Sequence, residues 1–454
     1  MKMKKSSTDL TEGNILKLII VFAMPILAGQ VFQSLYNSVD SIVVGRFVGT
    51  TALAAVSTSA DISRLLVGFF TGLSTGCGVL LARYFGAKNY ERLHDAIHTS
   101  LAFSIMLGLA MAIVGIVATP WLLRLVDCPA DVYAEAAMYL RIYLAGIFFT
   151  SLYNVGSGVL RAVGDSKSPF VYLVISSFMN IVLDLVFVVY LKMGVSGVAY
   201  ATVISQVTSV GLVFRRLTHT NDVYKVTLSQ LKVDKELLKE VIDIGLPSAI
   251  QTSLVSVSNL FVQRYINAFG SSAMAGIGAA KKIDRYVGLL AQSIGLSLTT
   301  FVSQNVGARK LDRAFDSIKY CIALNFALIA AIGTPIYFFA DKVVNIFITD
   351  PEAVSYGVGM ISVMIPMYFL QSLNVLFSGA TRGFGKARNV MLLSLSGMVV
   401  ARQIFLAVSM SINYNVTNVY VGYPVGWGCS ALAVFTYFYF KIYRVYKPQI
   451  KKNA

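Results

Sequence analysis

The stretch that decides the fold runs from Lys17 to Gly49 and reads KLIIVFAMPILAGQVFQSLYNSVDSIVVGRFVG. It is apolar enough, and long enough, to cross a bilayer as a single helix. Amide and carboxylate side chains recur inside it at the helical period, so they share one face of that helix. Because such groups are costly in hydrocarbon, we expect this face to line a bundle interior or a water-filled cavity. The polar residues are Gln30, Gln33, Asn37 and Asp40.

Asp40 is the most costly of these residues to submerge, and two interpretations of it stay open here. At about 1.5 Å per residue it lies roughly 34 Å along the helix from Lys17, whereas the hydrocarbon core is about 30 Å thick. It is therefore either an acid in the outer headgroup layer or, if the helix tilts, a submerged acid with a function.

The composition indicates a membrane protein that crosses the bilayer many times. Of the 454 residues, 56% are hydrophobic and 13% are charged, whereas a soluble protein carries roughly 25% charged residues. The net charge of +16 is carried by short loops between apolar spans, which indicates membrane orientation and argues against nucleic-acid binding. The four cysteines and three histidines show no paired spacing, so we expect no disulfide framework and no zinc site.

Apolar segments predict twelve membrane-spanning helices. Basic residues concentrate in alternate connections, as at Arg83, Lys88 and Arg92 after the second span. This bias predicts a multi-pass protein of the inner (plasma) membrane with both termini in the cytoplasm. The predicted spans are 15–42, 52–81, 95–119, 131–155, 168–190, 195–216, 237–265, 276–302, 316–339, 354–380, 388–411 and 423–445.

The two halves of the chain repeat one another. Pro25 recurs 222 residues later as Pro247, and after the loss of one residue the loop 86–88, Gly-Ala-Lys, recurs at 307–309 as Gly-Ala-Arg. An even number of spans in each half makes the repeats parallel, so the sequence predicts an all-α integral membrane protein with two pseudo-symmetric six-helix bundles. The predicted domains are an N-terminal lobe (1–216), a cytoplasmic linker (217–236) and a C-terminal lobe (237–454).

A second acid, Asp184, lies in the fifth predicted span with Asn180 one helical turn before it. Counted from the cytoplasmic end of the span, Asp184 is roughly 24 Å across the core. Thr202 in the sixth span is roughly 10 Å in from the outer surface, which is a compatible depth. The predicted layer in the outer half of the N-lobe consists of Asp40, Asn180, Asp184 and Thr202.

This layer has the chemistry of a coupling site for Na⁺ or H⁺. Carboxylate, amide and hydroxyl oxygens are the ligands that hard cations prefer. Two neighbouring carboxyl groups titrate as a coupled pair, and such a pair can take up and release a proton. The alternative is that each acid only bonds to a neighbouring helix, but intramembrane acids are functional by default, which favours the ion or proton site. We expect no cofactor besides this ion.

The second half of the chain lacks both acids, because Val262 stands at the position of Asp40 and Phe405 at that of Asp184. Ion coupling is therefore predicted for the N-lobe, with the C-lobe contributing cavity wall. Arg402, deep in the eleventh span, is either a structural clamp or part of the cavity. The residues predicted to line a substrate cavity are Gln30, Gln33, Asn37, Asn154, Asn259 and Gln263.

Enzyme motifs are missing from the sequence: it has no P-loop, no nucleophile elbow and no HExxH. We therefore expect a transporter and not an enzyme, with its energy drawn from an ion gradient.

Several motifs follow one another along the chain. They are Pro25, the Asn37/Asp40 stretch running into Val44-Gly45, the loops starting at Gly86 and Arg161, Asn180 with Asp184, and the segment 194–206. In this order they make the chain resemble the multidrug and toxic compound extrusion (MATE) family over essentially its whole length. The resemblance implies twelve helices in two lobes and antiport of drugs against Na⁺ or H⁺ by alternating access. It also implies an N-lobe cation site at the same four residues as the depth argument.

The substrate implied is a small, amphipathic and often cationic drug or metabolite, carried by a monomer in the lipid bilayer without nucleic acid. One alternative is a lipid-linked oligosaccharide flippase of the same superfamily, in which Arg64 and Arg402 would face a cationic cavity. A second is a membrane enzyme that hydrolyses its substrate with paired aspartates, which the repeat and the outer depth of the acids disfavour.

Overall fold

The computed structural model describes residues 8–453, and at residues 61 and 450–453 it describes the backbone alone. Twelve helices in this range are long and apolar enough to cross a membrane. The predicted all-α fold with twelve spans is confirmed. In chain order the helices are α1 (Ile15–Phe47), α2 (Thr50–Gly86), α3 (Tyr90–Leu125), α4 (Tyr133–Ala162), α5 (Lys167–Tyr190), α6 (Gly194–Thr218), α7 (Lys235–Asn267), α8 (Ser271–Gly307), α9 (Leu311–Phe338), α10 (Pro351–Gly383), α11 (Ala387–Ile412) and α12 (Val416–Gln449).

Most helices extend beyond the predicted spans. The second, for example, was predicted over 52–81 and continues to Gly86, past Arg83. The reason is that apolar composition reports only the part of a helix in hydrocarbon, whereas backbone hydrogen bonds carry the helix on into the polar layer. A short helix, Ala340–Asn345, follows α9 and had no signal of its own in the sequence.

Two equivalent turns join the first two helices of each half. Gly49 separates α1 from α2 with a φ of 127°, and Gly270 separates α7 from α8 with a φ of 90°. Residues with a side chain rarely adopt such backbone angles, so glycine lets these long helices reverse direction over a very short connection. The repeat detected in the sequence thus extends to the backbone of the turns.

The chain forms two compact units, here called the N-unit and the C-unit. The N-unit contains Met24–Ala249, and the C-unit contains Leu10–Ala23 together with Ile250–Ala454. The first turns of α1 therefore cluster with the C-unit, and the first turns of α7 cluster with the N-unit. Both changes lie next to a proline within the helix, Pro25 in α1 and Pro247 in α7.

Close helix contact in the N-unit depends on small residues. Gly76 of α2 lies so near the start of α7 that a Cβ added to it would overlap the backbone of Gly245. Gly72 has the same relation to Ala249 one turn along. Such glycines let helices come close enough to pack well. Close packing is needed because the hydrophobic effect does not drive helices together within lipid.

The segment between the halves packs against the N-unit. Tyr224 and Val226 are buried in a cluster with residues of α3, α4 and α6. The backbone N–H of Thr227 donates to Nε2 of His98 at 3.2 Å. Asp234 accepts from the N–H groups of Glu236 and Leu237 and so caps α7; these contacts hold its pKa below the usual value.

The C-unit is centred on α8. In the most apolar window of this helix, 78% of the residues are buried, a larger share than in any other membrane helix described. Its apolar face packs with α10 and α12 in a cluster that includes Ile277, Met364 and Trp427. On α8, Lys281 and Asp284 are half-buried within the unit, whereas Lys282 and Arg285 are exposed.

Candidate functional site

Three of the four predicted coupling residues form a buried polar group within the N-unit. Asp184 and Asn180 of α5 are both 0% exposed, and Asp40 of α1 is 8% exposed. Asn180 and Asp184 are four residues apart and therefore share one face of α5. This burial shows that protein covers Asp40; the depth of Asp40 in the membrane stays a prediction.

Most polar atoms of this group have no hydrogen-bond partner among the described residues. The atoms without a partner are both carboxylate oxygens of Asp184, both amide atoms of Asn180 and Oδ1 of Asp40. Buried polar atoms are nearly always paired, and leaving one unpaired costs about 1–3 kcal/mol. Such a concentration of unpaired oxygens is therefore typical of a site that binds something else.

The carboxyl groups of Asp40 and Asp184 lie beside each other, close enough for one to donate a hydrogen bond to the other when it is protonated. Two carboxylates cannot both stay charged at such a separation without a cation or a proton between them. The pair can accordingly hold one proton, or provide oxygen ligands to a cation.

Thr202 lies on α6 and is 7% exposed. Its Oγ1 donates to the carbonyl of Val198 at 3.0 Å. The hydroxyl proton is therefore engaged by its own helix, and the oxygen keeps lone pairs with which it can accept or ligate. Among the described residues no hydrogen bond joins Thr202 to the carboxyl groups, so its place in the layer stays a prediction.

Helix α5 changes its winding at the site. Residues up to Asp184 are α-helical, and Leu185–Tyr190 form a π-helical turn. π-Helical turns are rare and occur mostly at functional sites, because they rotate the side chains on either side of them relative to a regular helix. The sequence carries no recognisable signal for this feature.

Two tyrosines lie near the acids and a third stacks on one of them, and the sequence interpretation missed all three. Tyr36 lies beside Asp40, and Tyr139 of α4 lies near both carboxyl groups. The rings of Tyr139 and Tyr143 stack with their centroids 6.2 Å apart. A signal was present, because Tyr36 stands one turn before Asp40 on the same face.

The residues predicted to line a cavity in the N-unit have different environments. Gln33 and Asn37 are exposed, and Gln30 is half-buried with an unpaired Oε1. Asn154 is half-buried and engaged, since its Nδ2 donates to the carbonyl of Thr150 and its Oδ1 accepts from Thr71. The cavity assignment of these residues stays a prediction.

The two cavity residues predicted in the C-unit, Asn259 and Gln263, each accept a hydrogen bond from a positively charged side chain. Nη1 of Arg402 donates to Oδ1 of Asn259 at 2.9 Å, and Nζ of Lys281 donates to Oε1 of Gln263 at 2.8 Å. Arg402 is only 2% exposed, whereas Arg64 of the N-unit is exposed. The two arginines on which the flippase alternative depends thus lie in unlike environments within their own units.

Comparison with known proteins identifies the family. The family model MatE matches twice, over residues 25–186 and again over 247–408. The chain belongs to the MatE family. The second match begins 222 residues after the first, which is the offset of the repeated prolines. This membership confirms the resemblance to the MATE family and the interpretation as a multi-pass membrane transporter.

Individual MatE relatives agree with this assignment over most of the chain. The probable multidrug resistance protein YoeA of Bacillus subtilis (strain 168) is 32% identical over 428 residues, 92% of each chain. The multidrug export protein MepA of Staphylococcus haemolyticus (strain JCSC1435) is 23% identical over 401 residues, 88% of each chain. A solved structure, described as an outward-facing conformation of a multidrug resistance MATE family transporter of the MOP superfamily, is 26% identical with a TM-score of 0.90; it covers 98% of this chain and 100% of its own.

Proposed function

We propose that this MatE protein is a secondary active exporter of amphipathic, often cationic, drugs or metabolites, coupled to H⁺ or Na⁺. The observation that carries the proposal is the pair of buried carboxyl groups, Asp40 and Asp184, most of whose oxygens have no hydrogen-bond partner among the described residues. The drug substrates are proposed because YoeA and MepA are named for multidrug resistance and multidrug export.

The pair supports coupling because its charge has to be neutralised. Two charged carboxylates side by side in a buried site repel each other, and a proton or Na⁺ removes that repulsion. Loading from outside therefore stabilises the arrangement of α1 and α5 that brings Asp40 and Asp184 together. Unloading in the cytoplasm favours an arrangement that separates them.

Na⁺ would be bound by oxygens that the protein leaves free. Asp184 provides two, Asp40 one and the amide of Asn180 one, and the lone pairs of Thr202 complete the proposed set. A proton would need only the carboxyl pair. The two ions can be told apart because replacing Asn180 should weaken Na⁺ coupling and leave H⁺ coupling largely intact.

Coupling requires that ion and drug favour different states of one conformational equilibrium. In the proposed cycle of alternating access, ion loading at the N-unit favours the state that releases the drug outside. Return to the inward-facing state then carries the ion into the cytoplasm. We further propose the plasma membrane as the location, cytoplasmic termini and a monomeric transporter.

The test is efflux from proteoliposomes that hold purified protein under an imposed ion gradient. Asp184→Asn should lower gradient-driven drug transport by about tenfold or more, since it removes one charge of the pair. The matched control is Asp316→Asn, because Asp316 is an exposed acid that pairs with Lys319 at 2.8 Å. Full transport by the Asp184 variant would overturn the assignment.

A further inference from the structure

A second polar centre lies inside the C-unit, and the coupling proposal makes no use of it. It consists of Arg402 on α11 and of Lys281 and Asp284 on α8. Arg402 is 2% exposed, and α8 is the most buried membrane helix described. Charges this deep within a helical unit are costly and usually functional.

Arg402 is held by neutral partners. Nη1 donates to Asn259 at 2.9 Å and Nη2 donates to Ser258 at 2.6 Å. Tyr423 lies over the guanidinium at 5.6 Å from the ring centroid. A guanidinium has five N–H donors, and the Nε of Arg402 is buried without a partner among the described residues. The group is therefore fixed in place with donors left over.

Lys281 is held by the same face of α7 that holds Arg402. Its Nζ donates to Gln263 at 2.8 Å, and Gln263 stands four residues after Asn259. Residues four apart lie one above the other on a helix, separated by about 6 Å along its axis. The two cations are thus anchored one turn apart on α7, and their charges act on each other.

The charge at this centre is not balanced. Among the described residues, Asp284 is the acid whose charge acts on Lys281, and the exposed Arg285 also acts on Asp284. Within the described part of the chain no acidic side chain forms an ion pair with Arg402. Buried charges are normally paired, because an unpaired one loses its hydration without compensation. The centre therefore has an excess of positive charge.

We propose that Arg402 and Lys281 bind an anionic group, a carboxylate or a phosphate, of an amphipathic molecule. The planar fork of an arginine suits two oxygens of such a group, and the lysine adds a point charge with two further donors. Asn259 and Gln263 would hold the two cationic side chains one helical turn apart, so that both can contact the same anionic group. The ring of Tyr423 lies over the guanidinium, and Trp427 and Tyr368 pack behind that ring in the apolar core.

This site would give the proposed exporter a second recognition centre. The inference rests on the proposed function only in naming a transported small molecule as one source of the anionic group. The other source is an anionic lipid headgroup. The site assigns a role to Arg402 beyond that of a structural clamp. Equilibrium binding needs no ion gradient, so the anion site can be tested whether or not coupled export is found.

The experiment measures binding of two fluorescent probes, dansylglycine and its neutral amide, to purified protein in phosphatidylcholine nanodiscs. Wild-type protein should bind the carboxylate probe about tenfold or more tightly than the amide, as charge-assisted hydrogen bonds predict. Lys281→Gln and Arg402→Gln should each abolish this preference. The matched control is Lys282→Gln, because Lys282 is the neighbouring lysine on α8 and lies exposed over Phe347.

Adding phosphatidylglycerol to the nanodiscs distinguishes the two sources. If a lipid headgroup is the ligand, the anionic lipid should displace dansylglycine from wild-type protein but not change binding of the amide. If a small molecule is the ligand, the preference should survive. Equal binding of both probes by wild-type protein in phosphatidylcholine overturns the proposal, as does a full preference retained by Lys281→Gln, a change mild enough to leave the fold in place.

Discussion

Asn180 buries a complete amide group in which neither the nitrogen nor the oxygen has a hydrogen-bond partner among the described residues. Together with Asp40 and Asp184 it shows what a sequence can predict at the scale of single residues. Acids and amides in an apolar stretch are conspicuous, because their burial is costly and therefore rarely accidental. The roles of Tyr139 and of the cluster around Arg402 were harder to predict from the sequence, because they depend on partners that lie on other helices.

The unpaired amide makes a prediction about stability and transport together. Asn180→Leu should raise the free energy of unfolding by about 1–3 kcal/mol, because it removes a buried unsatisfied group. The same change should impair Na⁺-driven transport, since it removes a ligand oxygen. Thermal unfolding of purified protein and efflux from proteoliposomes measure the two effects.

Asn325 of α9 provides the control. It is also 0% exposed, and neither of its amide atoms has a partner in the part of the chain that the structure describes, but it lies in the C-unit. Asn325→Leu should stabilise the protein to a similar extent and leave transport unchanged. If Asn180→Leu destabilises the protein, or leaves Na⁺-driven transport at the wild-type rate, the amide has another role.

At the scale of helices, apolar length predicted the number of spans well, because hydrocarbon thickness fixes the apolar length that a span needs. Features that depend on backbone geometry were not predictable in this way. The π-helical turn after Asp184 and the short helix Ala340–Asn345 are both compatible with ordinary helical composition. Helix ends were also missed, because they lie where polar residues are no longer costly.

At the Gly49 turn, the effect of backbone strain can be measured without any added steric clash. A Cβ added there meets no atom within 4 Å, so Gly49→Ala should cost only the backbone strain of its φ of 127° and ψ of −179°, about 1–3 kcal/mol. Gly211→Ala is the counterpart inside α6, where a Cβ also meets nothing within 4 Å. That change should stabilise the helix by about 0.5–1 kcal/mol. Thermal unfolding should therefore shift in opposite directions; shifts in the same direction would contradict this account of the turn.

At the scale of the whole molecule, the sequence repeat was the strongest predictor, and the family match recovered it at the same offset. What the repeat does not determine is where the halves differ. The N-unit carries a pair of acids, whereas the C-unit carries Val262 and Phe405 at those positions and an excess of positive charge around Arg402. We therefore expect the ion to act through the N-unit, and an anionic group to be recognised by the C-unit.

The most direct measurement is drug efflux from proteoliposomes of wild-type protein with the Na⁺ gradient and the pH gradient imposed separately. An ion-coupled exporter should transport against the drug gradient under at least one of them, and Asp184→Asn should abolish that dependence. Drug movement that follows only its own gradient, equally fast with either ion gradient or with none, would contradict the central claim.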